Sequence, residues 1–419
     1  MWAAALGAGV FAVMALIGQT LAFLQAAAAP TSISGSTVAR LGLLYFYAFH
    51  HAGIVISVPG GRLAPLEQGE AGVPFSVSYT ISVALLLVTA LAILLLLLAA
   101  RWVADRSGGG IAARAVNGMK VAPAYALLSL GLSYIDAFRF DLPANPFLSG
   151  EVHVGPGHVG AFLWPLGIAV VAGGLGGLST AWAELAAYEP WGRRVAGGLR
   201  GGWRMFAYGL ALAFVGVLVL AGLKPEATRA YVRATAGAGL VGADAMAHHV
   251  LALPNQSLWV LVPAMGSCDG AYGAGRSVDF LCYWRFPKGV DVSAISEGTT
   301  SSAGFARAPV PYFLFLLVPL GAVVLGGGWA GANGGADTWR EGATIGAAAG
   351  VVFALLVLAG TVLGGVGISL SGGLNETAQG SGSGTVGPNI FTGTAAALLW
   401  GVLGGAVGGA FGVRLRPRS

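Results

Sequence analysis

Stretches of about twenty apolar residues recur along the chain, separated by short polar or glycine-rich segments. A helix needs about 20 apolar residues to cross the ~30 Å hydrocarbon core of a bilayer. Seven stretches meet that requirement: 2–25, 77–100, 158–181, 204–223, 310–331, 344–367 and 393–412. Residues 121–138 are shorter but have the same character. Two further stretches leave alternatives open. Residues 38–57 are apolar but carry Arg40, His50 and His51, and Arg40, Tyr47 and His51 share one helical stripe. An interfacial helix has such a stripe; read that way, the chain has eight spans with both termini on one side, and if 38–57 crosses there are nine. Residues 246–266 are interrupted by Pro254-Asn255-Gln256-Ser257. The pattern predicts an all-α polytopic bundle in three parts. Residues 1–223 supply the N-terminal spans, 224–309 a long extracytoplasmic cap or re-entrant segment, and 310–419 the C-terminal glycine-rich spans.

Composition narrows the class. Of the 419 residues, 56% are hydrophobic and 9% charged, against the ~25% charged usual in soluble domains. Mean hydropathy is +0.77. A soluble globular domain, a disordered chain and a small disulfide scaffold are excluded. Among the basic residues only Lys120, Lys224 and Lys288 are lysine, and 69 residues are glycine, a bias typical of high-GC bacterial genes. The net charge of +5 does not indicate a nucleic-acid partner, because the basic residues form no single patch interleaved with aromatics. They sort by loop instead. Arg101, Arg106, Arg114 and Lys120 share one loop, Arg193, Arg194, Arg200 and Arg204 another, and Arg414, Arg416 and Arg418 the C-terminal tail. Short loops rich in Lys and Arg stay in the cytoplasm. The expectation is a bacterial cytoplasmic-membrane protein with a cytoplasmic C-terminus and with 139–157, 224–309 and 368–392 outside. No basic region precedes the first apolar run, which argues against a cleaved signal peptide.

Helices in lipid associate through close backbone approach, which glycine permits. Gly342, Gly346 and Gly350 repeat every fourth residue, as do Gly401, Gly405 and Gly409, so 344–367 and 393–412 are expected to pack tightly. These faces are also candidate contacts for membrane-protein partners besides the lipid itself. Glycine doublets near the cytoplasmic ends of 158–181, 310–331 and 393–412 hint at an internal repeat, although the accompanying tryptophans do not align.

The 17 acidic residues all lie in loops or at span edges, Asp136 coming closest to the membrane. Intramembrane charge is costly and is kept where function needs it, so a transporter with a midplane carboxylate is disfavoured. The chain lacks a GxxxxGK[ST] loop, an HExxH helix and a GxSxG elbow, and no motif requires a cofactor. Six histidines, His50, His51, His153, His158, His248 and His249, fall on the outer side in the eight-span reading and are candidate metal ligands. Cys268 and Cys282 lie in the outer segment and are expected to form a disulfide.

Three functions compete. The first is a permease or channel for a small neutral or anionic solute. Its pathway would be lined by Asn255, Gln256 and Ser257 at a helix break, with Ser129, Ser133 and Asp136 on the 121–138 stripe. The second is a non-catalytic scaffold or assembly subunit of a cell-envelope complex. The third is an outward-facing metalloenzyme built from the histidines. The first requires the serine stripe to border a cavity; a stripe packed directly against another helix favours the second.

Overall fold

The computed structural model describes residues 1–28, 34–63, 73–135, 138–141, 148–181, 184, 191–223, 243–273, 276–282, 285–287, 305–307, 310–374 and 378–414. Among these, seven helices are long and apolar enough to cross a membrane, identifying a multi-pass helical membrane protein. The chain forms two compact units. One comprises 1–183, 232–252 and 366–385, the other 184–231, 253–365 and 386–419.

The first unit contains α1 (Trp2–Ala28), α2 (Gly35–Phe49), α3 (Leu86–Ser107), α4 (Ile111–Met119), α5 (Ala122–Ser133) and α6 (His158–Thr180). Its strands are β1 (Ile54–Leu63), β2 (Val73–Ser82), β3 (Phe138–Asp141), β4 (Leu148–Ser149), β5 (Glu151–Pro156) and β10 (Val366–Leu374). Five of these run antiparallel in the order β3-β5-β1-β2-β10. The sheet corrects the all-α expectation. Residues 38–57 do not cross as a helix: α2 stops at Phe49 and the chain turns through His51, at φ 58°, into β1. Likewise 77–82 is strand and the helix begins at Leu86. Residues 121–138 yield a helix of only 12 residues, preceded by α4. The unit's core is aromatic. Phe46, Tyr47 and Phe49 of α2 are fully buried with Met14, Leu96 and Tyr125.

The second unit contains α7 (Trp191–Leu223), the end of α8 (Ala243–Ala264), α9 (Leu317–Asn333), α10 (Trp339–Gly364) and α11 (Ile390–Arg414). Its strands include β6 (Cys268–Gly273) and β7 (Arg276–Cys282); β11 (Ala378–Pro388), which belongs to the first unit as far as residue 385, leads into α11. The start of α10 is set locally: Thr338 Oγ1 accepts from Glu341 N at 3.2 Å, and Glu341 Oε2 accepts from Asp337 N at 2.9 Å. This is a reciprocal cap close to the Thr-x-x-Glu capping box. Arg194 of α7 donates to Glu341 Oε1 at 2.6 Å. Helix α8 is a second correction, because it continues through Pro254 instead of ending there.

Glycine sets the helix packing. A Cβ on Gly342, Gly346 or Gly350 of α10 would strike the backbone of Gly409, Gly405 or Gly401 of α11. On the other side of α11, Gly408 abuts Val324 O of α9. In the first unit Gly118 of α4 abuts Gly173 and Gly177 of α6, and Gly176 abuts Leu97 O of α3.

These parallels extend along the chain. Both halves run helix, shorter helix, hairpin, then helices, strands and a last helix, with α4 and α5 together standing where the second half has the single helix α10. Helices α6 and α11 both start one residue beyond a Val-Gly-Pro triplet (Val154-Gly155-Pro156 and Val386-Gly387-Pro388). At the same distance from that start both carry Gly-x-x-Gly-Gly, at Gly173, Gly176 and Gly177 and at Gly405, Gly408 and Gly409. Gly173 and Gly177 thus meet α4 as Gly405 and Gly409 meet α10, and Gly176 meets α3 as Gly408 meets α9.

Candidate functional site

The sheet of the first unit is two-faced because strand side chains alternate. From Phe75 to Ser82 the sequence FSVSYTIS places Phe75, Val77, Tyr79 and Ile81 on one face and four hydroxyl residues on the other. Register carries this across the strands. Phe138, Val154, Ile56, Tyr79 and Leu370 form one transverse row. The next row, on the opposite face, is Arg139, His153, Ser57, Ser78 and Ser371. A β-bulge between Val58 and Gly61 bends β1. Beside it lies an open groove of about 820 Å³, lined by Ser57, Val58, Pro59, Pro74, Phe75, Ser76, Val77, Ser78, Ser371, Gly372, Gly373, Gly380 and Ser381. Among the described residues its lining contains no ionisable side chain. At its margin, His153 Nε2 lies 3.4 Å from Glu151 Oε2.

The residues proposed to line a solute path sit in helix packing. Ser129 is fully buried and donates to Ala161 O of α6 at 2.7 Å. Ser133, 2% exposed, donates to Leu130 O of its own helix and lies 2.9 Å from His158 Nδ1. Asp136 lies outside the described residues. In the second unit, Asn255 Nδ2 donates to Gly364 O at 3.5 Å and Trp259 Nε1 to the same oxygen at 3.0 Å. Gly364 ends α10, so these side chains, four apart on α8, serve a C-terminal carbonyl that has no partner within its own helix. Ser257 is buried and Gln256 partly so.

The histidines serve separate purposes. His50 is fully buried, with Nδ1 2.6 Å from Phe46 O and Nε2 2.5 Å from the Tyr125 hydroxyl. Both ring nitrogens are therefore engaged. His51 meets Trp164 edge-on at 4.8 Å, and His158 stacks on Tyr134 at 4.3 Å. The side chains of His248 and His249 lie outside the described residues. Among the described residues the histidines form no cluster of three metal-ligand atoms; the group that does meet that spacing is Cys268, Asp279 and Cys282. Both sulfurs of that group are joined in the Cys268–Cys282 disulfide, with Cα atoms 4.2 Å apart as directly paired residues of β6 and β7.

Beside the disulfide lies a residue the sequence reading did not select. Asp269 is 1% exposed, and among the described residues neither carboxylate oxygen has a hydrogen-bond partner. Burial pushes its pKa up to about 8. Nearby, Tyr272 donates to Asp279 Oδ1 at 3.1 Å, and burial followed by the Asp279 charge raises the phenol's pKa.

No family model, curated protein or solved structure matches this chain.

Proposed function

We propose that this protein is a non-catalytic membrane scaffold, an assembly subunit of a cell-envelope complex that displays a β-sheet platform outside the bacterial cytoplasmic membrane. The permease reading needs a cavity beside the polar stripe of α5. The observation that carries the scaffold reading is the direct hydrogen bond from Ser129 to Ala161 O of α6, with Ser129 fully buried. A side chain consumed in helix-to-helix contact does not line a path. The glycine contacts of α10 with α11 point the same way, since they bring backbone onto backbone.

Orientation rests on charge. The helix ends away from the hairpins carry Arg101 and Arg106 on α3, Arg114 on α4, and Arg193 and Arg194 on α7, which suits the cytoplasm. The hairpins and the disulfide then belong to the oxidising side.

The test is reconstitution together with cross-linking. Proteoliposomes should show the same permeability to glycerol, urea and nitrate as protein-free vesicles, while cross-linking in native membranes should give a discrete species above the 42.1 kDa chain. Saturable flux of any of these solutes, or a chain that stays monomeric under cross-linking, would overturn the reading.

A further inference from the structure

The groove of the first unit has a definite chemistry. Ser57, Ser78 and Ser371 stand side by side on three adjacent strands, because Ser57 pairs with Ser78 and Ser78 with Ser371. Adjacent strands lie about 4.8 Å apart, so the three hydroxyls form a row spaced at close to the length of one pyranose ring. Ser76, two residues along β2 from Ser78, and Ser381 also line the groove, and both are exposed. On the serine side an apolar face comes from Pro74, which shares the strand parity of Ser76 and Ser78, while Phe75 borders the groove from the opposite face. Phe75 is held over Gly61, where a side chain would collide with its ring. Gly380 faces open space, so a ligand can approach backbone there.

We propose that this groove binds a neutral polyhydroxylated ligand, a glycan chain or the headgroup of a glycolipid. Several hydroxyls able both to donate and to accept, set beside flat apolar surfaces, match sugars, which present hydroxyl edges and C–H faces. Among the described residues the lining holds no ionisable group, which disfavours phosphate, carboxylate or ammonium ligands, since these would lose hydration without gaining a charged partner there. An acyl chain would leave the serine row without partners. The volume of about 820 Å³ lies within the range of small-molecule sites. This inference stands apart from the role of the helices: a scaffold and a permease alike could carry such a site.

The test uses the full chain in phosphatidylcholine nanodiscs, with Ser381→Cys as a reporter of the groove. Neutral hexasaccharides of glucose and of N-acetylglucosamine should slow maleimide labelling of that cysteine at least fivefold, and a hyaluronan hexasaccharide should slow it less. Protection by soluble sugar identifies a free glycan as the source; protection seen only when a glycosyl diacylglycerol is built into the disc identifies a lipid headgroup. Adding Ser371→Leu should abolish protection, and Ser371 is exposed, so the substitution leaves the core intact. Unchanged thermal unfolding of the double variant checks that. If no neutral sugar or glycolipid protects the cysteine, or if protection survives Ser371→Leu, the proposal is wrong.

Discussion

Gly346 and Gly405 meet backbone to backbone: a Cβ built on either glycine would fall on the carbonyl oxygen of the other. Their helices are the most extensively packed pair in the second unit. In lipid the driving force for such a contact is close packing, because exposed apolar surface costs nothing there.

The first prediction follows. Gly346→Ala should destabilise the protein by about 1–3 kcal/mol, the usual cost of overpacking, and Gly346→Leu by more. Gly167→Ala on α6 should be near neutral, since a Cβ there meets nothing within 4 Å. Thermal unfolding in detergent would compare the three, and equal melting temperatures would contradict the packing.

The glycine ladders were legible because a four-residue repeat survives any helix-based reading. The sheet was not, although FSVSYTIS alternates without a break from Phe75 to Ser82. A twenty-residue apolar window merges that strand with the leucine-rich helix behind it. Strands β10 and β11 are obscured for another reason: VGISLSGGL and AQGSGSGTVGP are rich in glycine, which has low strand propensity, and are held by their neighbours' ladders. The groove depends on register across β1, β2 and β10, which local sequence does not encode. The cysteine pair was legible from its count and spacing, whereas the burial of Asp269 beside it was not.

The second prediction concerns His50 and Tyr125. Both are fully buried, and the phenol occupies the imidazole Nε2. Tyr125→Phe removes that partner and leaves a buried ring nitrogen unsatisfied, at a cost of about 1–3 kcal/mol. Restoring a partnerless apolar pair with His50→Leu in the Tyr125→Phe background should recover part of the loss. A double-mutant cycle reads the coupling, and additive effects would show that the bond contributes nothing.

The third prediction is orientation. Ser381→Cys should label with a membrane-impermeant maleimide from outside intact cells, while a cysteine replacing Arg106 should label only after permeabilisation. Ser381 is exposed on β11, and Arg106 lies in the last turn of α3, at the end remote from the sheet. The reverse pattern would invert the topology and place the disulfide in a reducing compartment.

The last prediction is a pH dependence from Asp269. Its carboxyl is buried without a partner among the described residues, so the folded protein favours the neutral acid and its pKa rises to about 8 from an ordinary 3.8. Below the ordinary value both folded and unfolded chains hold the proton, and burial of the neutral group is tolerated. Between about pH 4 and pH 8 the unfolded chain releases its proton while the folded chain keeps it. The folded state therefore binds more protons in that window, and stability falls as pH rises, by at most about 1.4 kcal/mol per pH unit. Above about pH 8 both states are ionised and the dependence levels off. Asp269→Asn keeps the shape and removes the titration. Melting temperatures of the two proteins should converge toward pH 4 and diverge by pH 8, with the asparagine variant the more stable at the higher pH. Parallel curves across that range would mean that Asp269 is already ionised, with its charge compensated, in the folded protein.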